Sequence, residues 1–362
     1  MKKSHNQGII IFLAFCILLT ACEPVVTTTP TSILVPTDTA LPGPSTGWLQ
    51  VYFTSPGLPN ASNYEGGPDE ALAAAIDAAI LSVDVAIYNL NLWSIRDALI
   101  YAQQRGVTVR MVMESDNMMD EEEVQDLLSA GIPIRADRHE GLMHNKFVVI
   151  DRFEVWTGSM NYTVGGAYKD NNNMLRIRSV QVAEDYTNEF EEMFIEDHFG
   201  PDDIANTPHP RLSIDGTPVE VYFSPDDGAE MRILELIQAA QESVHFMVYS
   251  FTSDEIGNAV VFAAQMNLIV SGVVDEEQAS TNQGTEYDLF RQNGMNVRLD
   301  GNNGLMHHKV MIIDEEIVIT GSYNFSDSAE RRNDENVVII FSPEVAGEFM
   351  AEFQRVYGMA KP

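Results

Sequence analysis

Residues 141–161 (GLMHNKFVVIDRFEVWTGSMN) decide the fold, because residues 304–324 (GLMHHKVMIIDEEIVITGSYN) repeat them. Each copy contains His-x-Lys, four residues, Asp, six residues and Gly-Ser-x-Asn. The polar positions are His144, Lys146, Asp151, Ser159 and Asn161 in the first copy and His307, Lys309, Asp314, Ser322 and Asn324 in the second. Five polar positions recurring at identical spacing indicate a duplicated active-site cassette.

The repetition extends outward from the two cassettes. Each half of the chain opens on a short strand pattern, at 49–53 and 219–223, and continues with alternating helix and strand patterns. The closing helix of the second half is predicted to begin at Pro343, after an N-cap at Ser342. This alternation predicts an α/β fold: two similar α/β/α halves, each with a mostly parallel or mixed sheet, related by pseudo-twofold symmetry around one shared active site.

The sequence divides into five segments. Residues 1–22 have a charged start, a short apolar run and small residues before Cys22, which is typical of a secretory signal and resembles a bacterial lipobox. Residues 23–47 are rich in Thr and Pro and predict an extended linker. Residues 48–200 and 219–362 are predicted to form the N-terminal and C-terminal domains, called the first and second halves below, with a connector at 201–218.

On this interpretation Cys22 is lipidated. The protein would then be a bacterial extracytoplasmic lipoprotein, anchored to the membrane at the cell surface or in the periplasm. Plain secretion with cleavage elsewhere is the alternative. Two cassettes in one chain remove the need for dimerisation to complete a site, so a monomer is predicted.

The charge of the chain is strongly negative. It has 54 acidic and 21 basic residues, for a formal net charge of −33. A surface of this kind disfavours tight, unspecific binding to nucleic acid, because it offers little positive charge to displace counterions. Nucleic acid stays possible as a partner if a basic patch lies inside a cleft.

Each cassette offers an imidazole, an ammonium, a hydroxyl and an amide. Residues two apart in a strand share a face, so each His is expected to point the same way as its Lys, and each Ser the same way as its Asn. Such a set suits a phosphoryl oxyanion. The predicted phosphate ligands are Lys146, Ser159, Asn161, Lys309, Ser322 and Asn324. Asp151 and Asp314 fall where the chain turns and are interpreted as structural.

Two cassettes that face each other would bring two imidazoles together. One imidazole can attack phosphorus while the other protonates the leaving oxygen, which divides a difficult hydrolysis into two steps. No His or Cys cluster has the spacing of a transition-metal site, so no metal and no cofactor are predicted.

The doubled pattern resembles the phospholipase D superfamily, whose signature is His-x-Lys-x4-Asp followed by Gly-Ser-x-Asn. The resemblance covers residues 48–362. It implies two α/β halves with an active site between them, a phosphohistidine intermediate and no required metal. Members of the family cleave or transfer phosphodiesters in phospholipids or in DNA. The catalytic residues that the resemblance implies are His144, Lys146, His307 and Lys309.

The two halves differ eleven residues after the last Asn of each cassette, where the first half has Asn172 and the second has Glu335. Similar family members have a carboxylate at this position, bonded to the back of a catalytic histidine. We expect Glu335 behind His307 and Asn172 behind His144, which predicts His144 as the nucleophile and His307 as the general acid. In the alternative, Glu335 raises the nucleophilicity of His307 and the two roles are exchanged.

The leading functional prediction is a phosphodiesterase of the phospholipase D type that hydrolyses a phospholipid. A lipid anchor would place such an enzyme beside its substrate. One alternative is a phospholipase D-like endonuclease, which the compact halves favour. The other is a non-catalytic surface lipoprotein that binds phosphate-bearing ligands.

Overall fold

The computed structural model describes residues 47–118 and 121–361. The predicted signal, Cys22 and nearly all of the linker therefore lie outside the described residues. The remainder belongs to one compact unit. No helix within the two described ranges is both long enough and apolar enough to cross a membrane.

The first half is built on a seven-stranded sheet of order β1-β7-β6-β5-β2-β3-β4. Its strands are β1 (Leu49–Phe53), β2 (Ser82–Ile87), β3 (Thr108–Met113), β4 (Ile134–Ala136), β5 (Lys146–Ile150), β6 (Glu154–Gly158) and β7 (Asn173–Arg178). Strands β2, β3 and β4 are parallel, and the other neighbours are antiparallel.

The second half contains an eight-stranded sheet of order β12-β11-β10-β13-β14-β15-β9-β8. Its strands are β8 (Arg211–Ile214), β9 (Thr217–Ser224), β10 (Ser243–Val248), β11 (Ile269–Val274), β12 (Asn296–Leu299), β13 (Lys309–Ile313), β14 (Ile317–Gly321) and β15 (Glu335–Phe341). Apart from β8, each strand has a counterpart in the first sheet at the same place in the order. The predicted α/β class with two similar halves and mixed sheets is confirmed.

Helices connect the strands in both halves. Those of the first half are α1 (Pro59–Ser62), α2 (Pro68–Ala78), α3 (Trp93–Gln104), α4 (Ser115–Met118), α5 (Glu122–Ser129), α6 (Val164–Tyr168) and α7 (Val180–Glu191). Those of the second half are α8 (Ala229–Ala239), α9 (Asp254–Gln265), α10 (Glu276–Thr281), α11 (Glu286–Gln292), α12 (Asp327–Arg331) and α13 (Pro343–Met359). The predicted start of α13 is confirmed, since the Ser342 hydroxyl accepts a hydrogen bond from the Val345 amide.

Strand β8 was not predicted, because residues 201–218 were interpreted as a connector. The structure places β8 and the start of β9 there, joined by a two-residue turn at Asp215 and Gly216 with φ of 50° and 87°. An Asp-Gly pair between strands is a strong signal for a tight hairpin. The sequence therefore contained the evidence for this hairpin.

The closing helices join the two halves through a shared core. Helix α7 packs on the first sheet, and its Tyr186 ring contacts Phe223 of β9 at a centroid distance of 5.0 Å. Helix α13 packs on the second sheet, and its Phe349 ring contacts Phe53 of β1 at 5.1 Å. Buried apolar residues from both sheets form one continuous cluster between these helices. This core fixes the position of each cassette relative to the other.

Candidate active site

Backbone hydrogen bonds tie the start of each cassette to the opposite half. The His144 amide donates to the Asp334 carbonyl (3.0 Å), and the His307 amide donates to the Asn171 carbonyl (3.0 Å). Return bonds run from the Asp334 amide to Leu142 (2.9 Å) and from the Asn171 amide to Leu305 (2.8 Å). Both histidines therefore lie at the seam between the halves, in matching positions.

The glycine that opens each cassette permits this close approach. A Cβ at Gly141 would overlap the backbone carbonyl of Arg332, and a Cβ at Gly304 would overlap that of Lys169. Both carbonyls belong to the opposite half. The identical spacing from Gly to His in the two cassettes therefore reflects the packing of the halves against each other.

The polar partners of the two histidines come from opposite halves, so the predicted pairing is wrong. His144 Nδ1 lies 2.8 Å from Glu335 Oε2, and His307 Nδ1 lies 2.9 Å from Asn172 Oδ1. The backbone bonds at the seam explain the exchange. Asp334 pairs with the chain of the first half, so the next residue, Glu335, faces the histidine of that half.

Hydrogen bonds fix the tautomer of both imidazoles. The Asn172 amide group donates to the Gly166 carbonyl (2.9 Å), so its oxygen faces His307 and accepts the Nδ1 proton. An ionised Glu335 can only accept, so Nδ1 of His144 also carries a proton. In both neutral rings the free lone pair is then on Nε2.

Burial and nearby positive charge lower the pKa of both cassette histidines. The two residues are about 7% and 6% exposed. Burial holds the pKa of His144 well below 6.5, and the ammonium groups of Lys146 and Lys309 lower it further. Burial also lowers the pKa of His307, and the positive charges of Lys309, Lys146 and His144 lower it further, in that order of size. The electrostatic effect of His144 on His307 reflects their proximity in one site.

The two lysines are buried in matching environments. Lys146 Nζ donates to the His144 carbonyl (2.6 Å) and lies 5.2 Å from the centre of the Tyr88 ring. Lys309 Nζ donates to the His307 carbonyl (2.9 Å) and lies 4.9 Å from the Tyr249 ring. Burial lowers the pKa of Lys146 to about 7 and that of Lys309 well below 10.5. An anionic ligand would restore their charge, as expected of a phosphate site.

The hydroxyls of the two cassette serines are bonded to protein groups, which does not support their predicted role as phosphate ligands. Ser159 is fully buried, donates to Asn172 Oδ1 (2.8 Å) and accepts from the Asn173 amide (3.0 Å). Ser322 is also fully buried, accepts from the Asn336 amide (2.9 Å), and lowers the carboxyl pKa of the nearby Glu335. The serines therefore position the groups behind the histidines.

The backbone at Gly158 explains why the serine points to protein groups. Strand β6 ends at this residue with φ of 147°, and a Cβ there would overlap the Asn173 carbonyl. Gly321 has the same geometry at the end of β14. The alternation of a strand therefore stops before the serine, so the expectation that Ser and Asn share one strand face does not hold.

The cassette asparagines keep unused hydrogen-bonding capacity. Asn161 and Asn324 are half-buried, and the Oδ1 atom of each is buried without a partner among the described residues. The two amides occupy equivalent places in the two halves. Phosphate oxygens only accept hydrogen bonds, so the Nδ2 groups of these amides are the donors that a bound phosphate would use.

The two cassette aspartates stabilise turns away from the cleft. Asp151 (φ 54°) accepts hydrogen bonds from the amides of Ile80, Leu81 and Ser82, between 2.6 and 3.1 Å. Asp314 makes the equivalent bonds to the amides of residues 241–243. Each links the turn inside its cassette to the loop before β2 or β10.

Four residues beside the histidines were not predicted from the sequence. The Tyr88 and Tyr249 rings lie 5.0 and 4.9 Å from those of His144 and His307. Glu114 and Asp275 each accept a hydrogen bond (3.0 Å) from the amide of the methionine before the histidine. The signal was available, since a Tyr and a carboxylate follow equivalent strands in both halves.

Within residues 47–118 and 121–361, no group of three or more His, Cys, Asp and Glu side chains is arranged to hold a metal ion. The groups that converge at the seam are two imidazoles, two ammonium groups and two amides. This combination can bind a phosphoryl group, attack it and protonate a leaving oxygen.

Comparison with known proteins agrees with this geometry. The family model described as "Cardiolipin synthase, PLD-like domain" matches residues 72–194 and 233–357. A phospholipase D of Rickettsia bellii is 30% identical over 153 residues, which cover 41% of this chain and 76% of that protein. Human mitochondrial cardiolipin hydrolase is 35% identical over 136 residues, or 38% of this chain. The match spans only about half (54%) of the human protein.

A solved structure covers both halves at once. Phosphatidylserine synthase of Haemophilus influenzae superposes with a TM-score of 0.64 at 15% identity, over 86% of this chain and 87% of that one. At this identity the likeness concerns the fold. The family model covers more than half of the sequence and both cassettes, and the chain therefore belongs to the phospholipase D-like family.

Proposed function

We propose that this protein is a phosphodiesterase that hydrolyses a phospholipid through a phosphohistidine intermediate, with His144 as the nucleophile and His307 as the general acid. One observation carries the assignment of roles: a carboxylate backs His144, and an amide backs His307. The part given to the carboxylate is the reverse of the one expected from the sequence, where it lay behind the general acid. Phosphorylation of Nε2 on a ring that keeps its Nδ1 proton leaves that ring positively charged. A carboxylate stabilises this charge far better than an amide does.

In the first step Nε2 of His144 attacks phosphorus and forms the P–N bond. The bound phosphodiester anion favours the protonated form of His307, as it does the charged form of the lysines. The bond from phosphorus to the leaving oxygen breaks, and protonated His307 donates its Nε2 proton to that oxygen. An imidazolium whose Nδ1–H meets only an amide is a stronger acid than one held by a carboxylate. Asn172 behind His307 therefore suits the general acid, and Glu335 behind His144 suits the nucleophile.

In the second step neutral His307 removes a proton from water. The resulting oxygen attacks phosphorus, the P–N bond breaks, and His144 is regenerated. Proton balance is complete, since His307 regains the proton that it donated in the first step. The use of one residue as acid and then as base follows from its position beside the leaving oxygen.

Lys146, Lys309, Asn161 and Asn324 are the proposed ligands of the non-bridging oxygens. Their charge and amide groups stabilise the pentacoordinate transition state in a buried site, where electrostatic interactions are strong. Both lysines are already in place in the free protein, so little reorganisation is required.

Two observations support a lipid substrate over nucleic acid. The net charge of −33 disfavours binding to a polyanion. Relatives named cardiolipin hydrolase and phospholipase D are 35% and 30% identical to this chain over the segments that they match. The proposed lipidation at Cys22 and the extracytoplasmic location would bring the enzyme to a membrane surface. An endonuclease is the second candidate, and the same experiment separates the two.

The test is hydrolysis of phosphatidylcholine, phosphatidylethanolamine, phosphatidylglycerol, cardiolipin, and single- and double-stranded DNA, each with and without chelator. The proposal predicts release of phosphatidate that survives chelation and disappears in His144→Ala. His209→Ala, which removes a partly exposed histidine bonded to Glu184, is the matched control. Faster cleavage of DNA than of every lipid would establish the nuclease instead, and binding without turnover would establish a binding protein.

A further inference from the structure

The two sides of the proposed site differ beyond the histidine partners. In the second half the Gln278 amide donates to the Tyr249 hydroxyl (3.1 Å). Asn282 Nδ2 donates to Gln278 Oε1 (2.7 Å) and to the Ser250 hydroxyl (3.1 Å). All four side chains are partly exposed. They form a continuous line of hydroxyl and amide groups that begins at the ring beside His307.

Among the described residues, 47–118 and 121–200, the first half shows no such line. Tyr88 occupies the equivalent place beside His144, but no described residue hydrogen-bonds its hydroxyl. Its neighbour Asn117 instead donates to the Tyr88 backbone carbonyl (2.9 Å). The line of Tyr249, Gln278, Asn282 and Ser250, called the polar rim, therefore lies on the His307 side of the site. The cassettes themselves do not require it.

The charge on this rim is negative. Asp275, Glu276 and Glu277 follow β11 in sequence, and the last two are exposed. Glu276 pairs with Lys361, whereas Glu277 has no ion pair among the described residues. The pKa of Tyr249 is raised to about 12, first because burial disfavours the phenolate and then because Asp275 and Glu277 are close.

The general acid must lie next to the leaving oxygen, so the leaving alcohol is on the His307 side. We propose that Tyr249, Gln278 and Asn282 form the subsite for this alcohol, and that Glu277 selects a small polar alcohol that is neutral or cationic. The inference rests on the proposed function. It predicts that amino-alcohol and glycerol head groups are preferred over a leaving group that carries its own phosphate, as in cardiolipin or DNA.

Hydrogen bonds and charge make separate contributions to this selection. The amide and hydroxyl groups replace the water that a polar head group loses on binding. Glu277 attracts an ammonium group and repels a phosphate. Removing the hydrogen bonds should therefore lower kcat/KM for polar head groups, whereas removing the charge should lower the preference for a cationic leaving group over one that carries phosphate.

The experiment measures kcat/KM for phosphatidate release from phospholipids with identical acyl chains in neutral detergent micelles. Glu277→Gln should lower the preference for phosphatidylcholine over cardiolipin by roughly two- to fivefold, the range of an exposed ion pair. Gln278→Ala should lower kcat/KM for phosphatidylethanolamine by roughly 2–10-fold, and by less for a p-nitrophenyl ester of phosphatidate. Gln238→Ala and Glu255→Gln, on exposed helix positions, are the matched controls.

The outcomes separate this inference from the proposal beneath it. A wild-type protein that hydrolyses none of the lipids refutes the phospholipase assignment, and the subsite with it. An active protein that prefers cardiolipin overturns the inference alone. The same holds if Glu277→Gln and Gln278→Ala keep the wild-type ratios of kcat/KM among the head groups. Because Glu277 is exposed, a folding defect is not expected to obscure the result.

Discussion

Replacing the carboxylate behind His144 should slow the formation of the phosphohistidine. Glu335→Gln keeps a side chain of the same shape, and its amide oxygen can still accept the Nδ1 proton. What it removes is one fully buried negative charge, 2.8 Å from the ring nitrogen. The variant therefore tests electrostatic stabilisation separately from orientation.

The size of the loss follows from Coulomb's law. Two unit charges about 4 Å apart interact by about 4 kcal/mol at an effective dielectric constant of about 20. The positive charge on the ring is only partly developed in the transition state, so a loss of about 3–4 kcal/mol is the upper range. This corresponds to a decrease in kcat of about 10²–10³-fold.

Stability should move in the opposite direction. Burial raises the pKa of Glu335 to about 7, and Lys146 and Ser322 only partly offset this. A carboxyl whose pKa is raised on folding contributes stability below pH 4.5 that is lost as pH rises through about 7. At pH 8 the ionised Glu335 is a cost, so Glu335→Gln should unfold at a temperature no lower than the wild type.

The assay is the pre-steady-state burst of alcohol release, together with thermal unfolding. Glu352→Gln is the matched control, because Glu352 is also buried and bonded to a histidine, His308 (3.1 Å), that the mechanism does not use. Its kcat should stay within about threefold of the wild type. Equal losses in both variants, or a kcat for Glu335→Gln within threefold of the wild type, would refute the reasoning.

Three further predictions concern leaving groups, pH and stability. In the burst phase His307→Ala should release p-nitrophenolate nearly as fast as the wild type but an alkyl alcohol far more slowly, since p-nitrophenolate leaves without a proton. Steady-state turnover of both esters should fall, because the second step needs His307 as the base. His144→Ala should show no burst with either ester, and equal losses of burst rate for the two esters in His307→Ala would contradict this. The pH profile of kcat/KM should be bell-shaped around pH 7. Activity should fall below about pH 7 because Glu335 becomes protonated, and above about pH 7 because Lys146 loses its charge. In Glu335→Gln the decrease on the acid side should be absent. Burial and Asp227 raise the pKa of Asp226 to about 7. The contribution of this carboxyl to stability is present below pH 3.8 and is lost as the pH rises through 7. Asp226→Asn should therefore raise Tm at pH 8.5 by roughly 1–3 °C after allowance for screening, and should leave Tm unchanged at pH 4.

The repeated cassette was sufficient to predict the fold class. Spacing identified two copies of one unit, and each strand of the first sheet has a counterpart in the second. Local signals also located the start of α13 correctly, because a Ser N-cap followed by Pro defines a helix end without tertiary contacts. The β8–β9 hairpin was missed although its Asp-Gly turn is a local signal too.

The partners of the histidines could not be read from the sequence. His144 and Glu335 are 191 positions apart, and His307 and Asn172 are 135 apart. Their pairing depends on how β7 and β15 meet the opposite cassette at the seam, and no local pattern encodes that choice. A regular offset of eleven residues favoured a partner in the same half, which the packing does not allow.

The position of the phosphoryl group in a trapped intermediate tests the central claim most directly. Wild-type protein mixed with a slow phosphodiester and quenched during the burst should carry phosphate on the peptide that contains His144, and the label should be absent in His144→Ala. Phosphate on the peptide that contains His307 would exchange the two roles and contradict the proposal that the Glu335 carboxylate stabilises a phosphorylated His144.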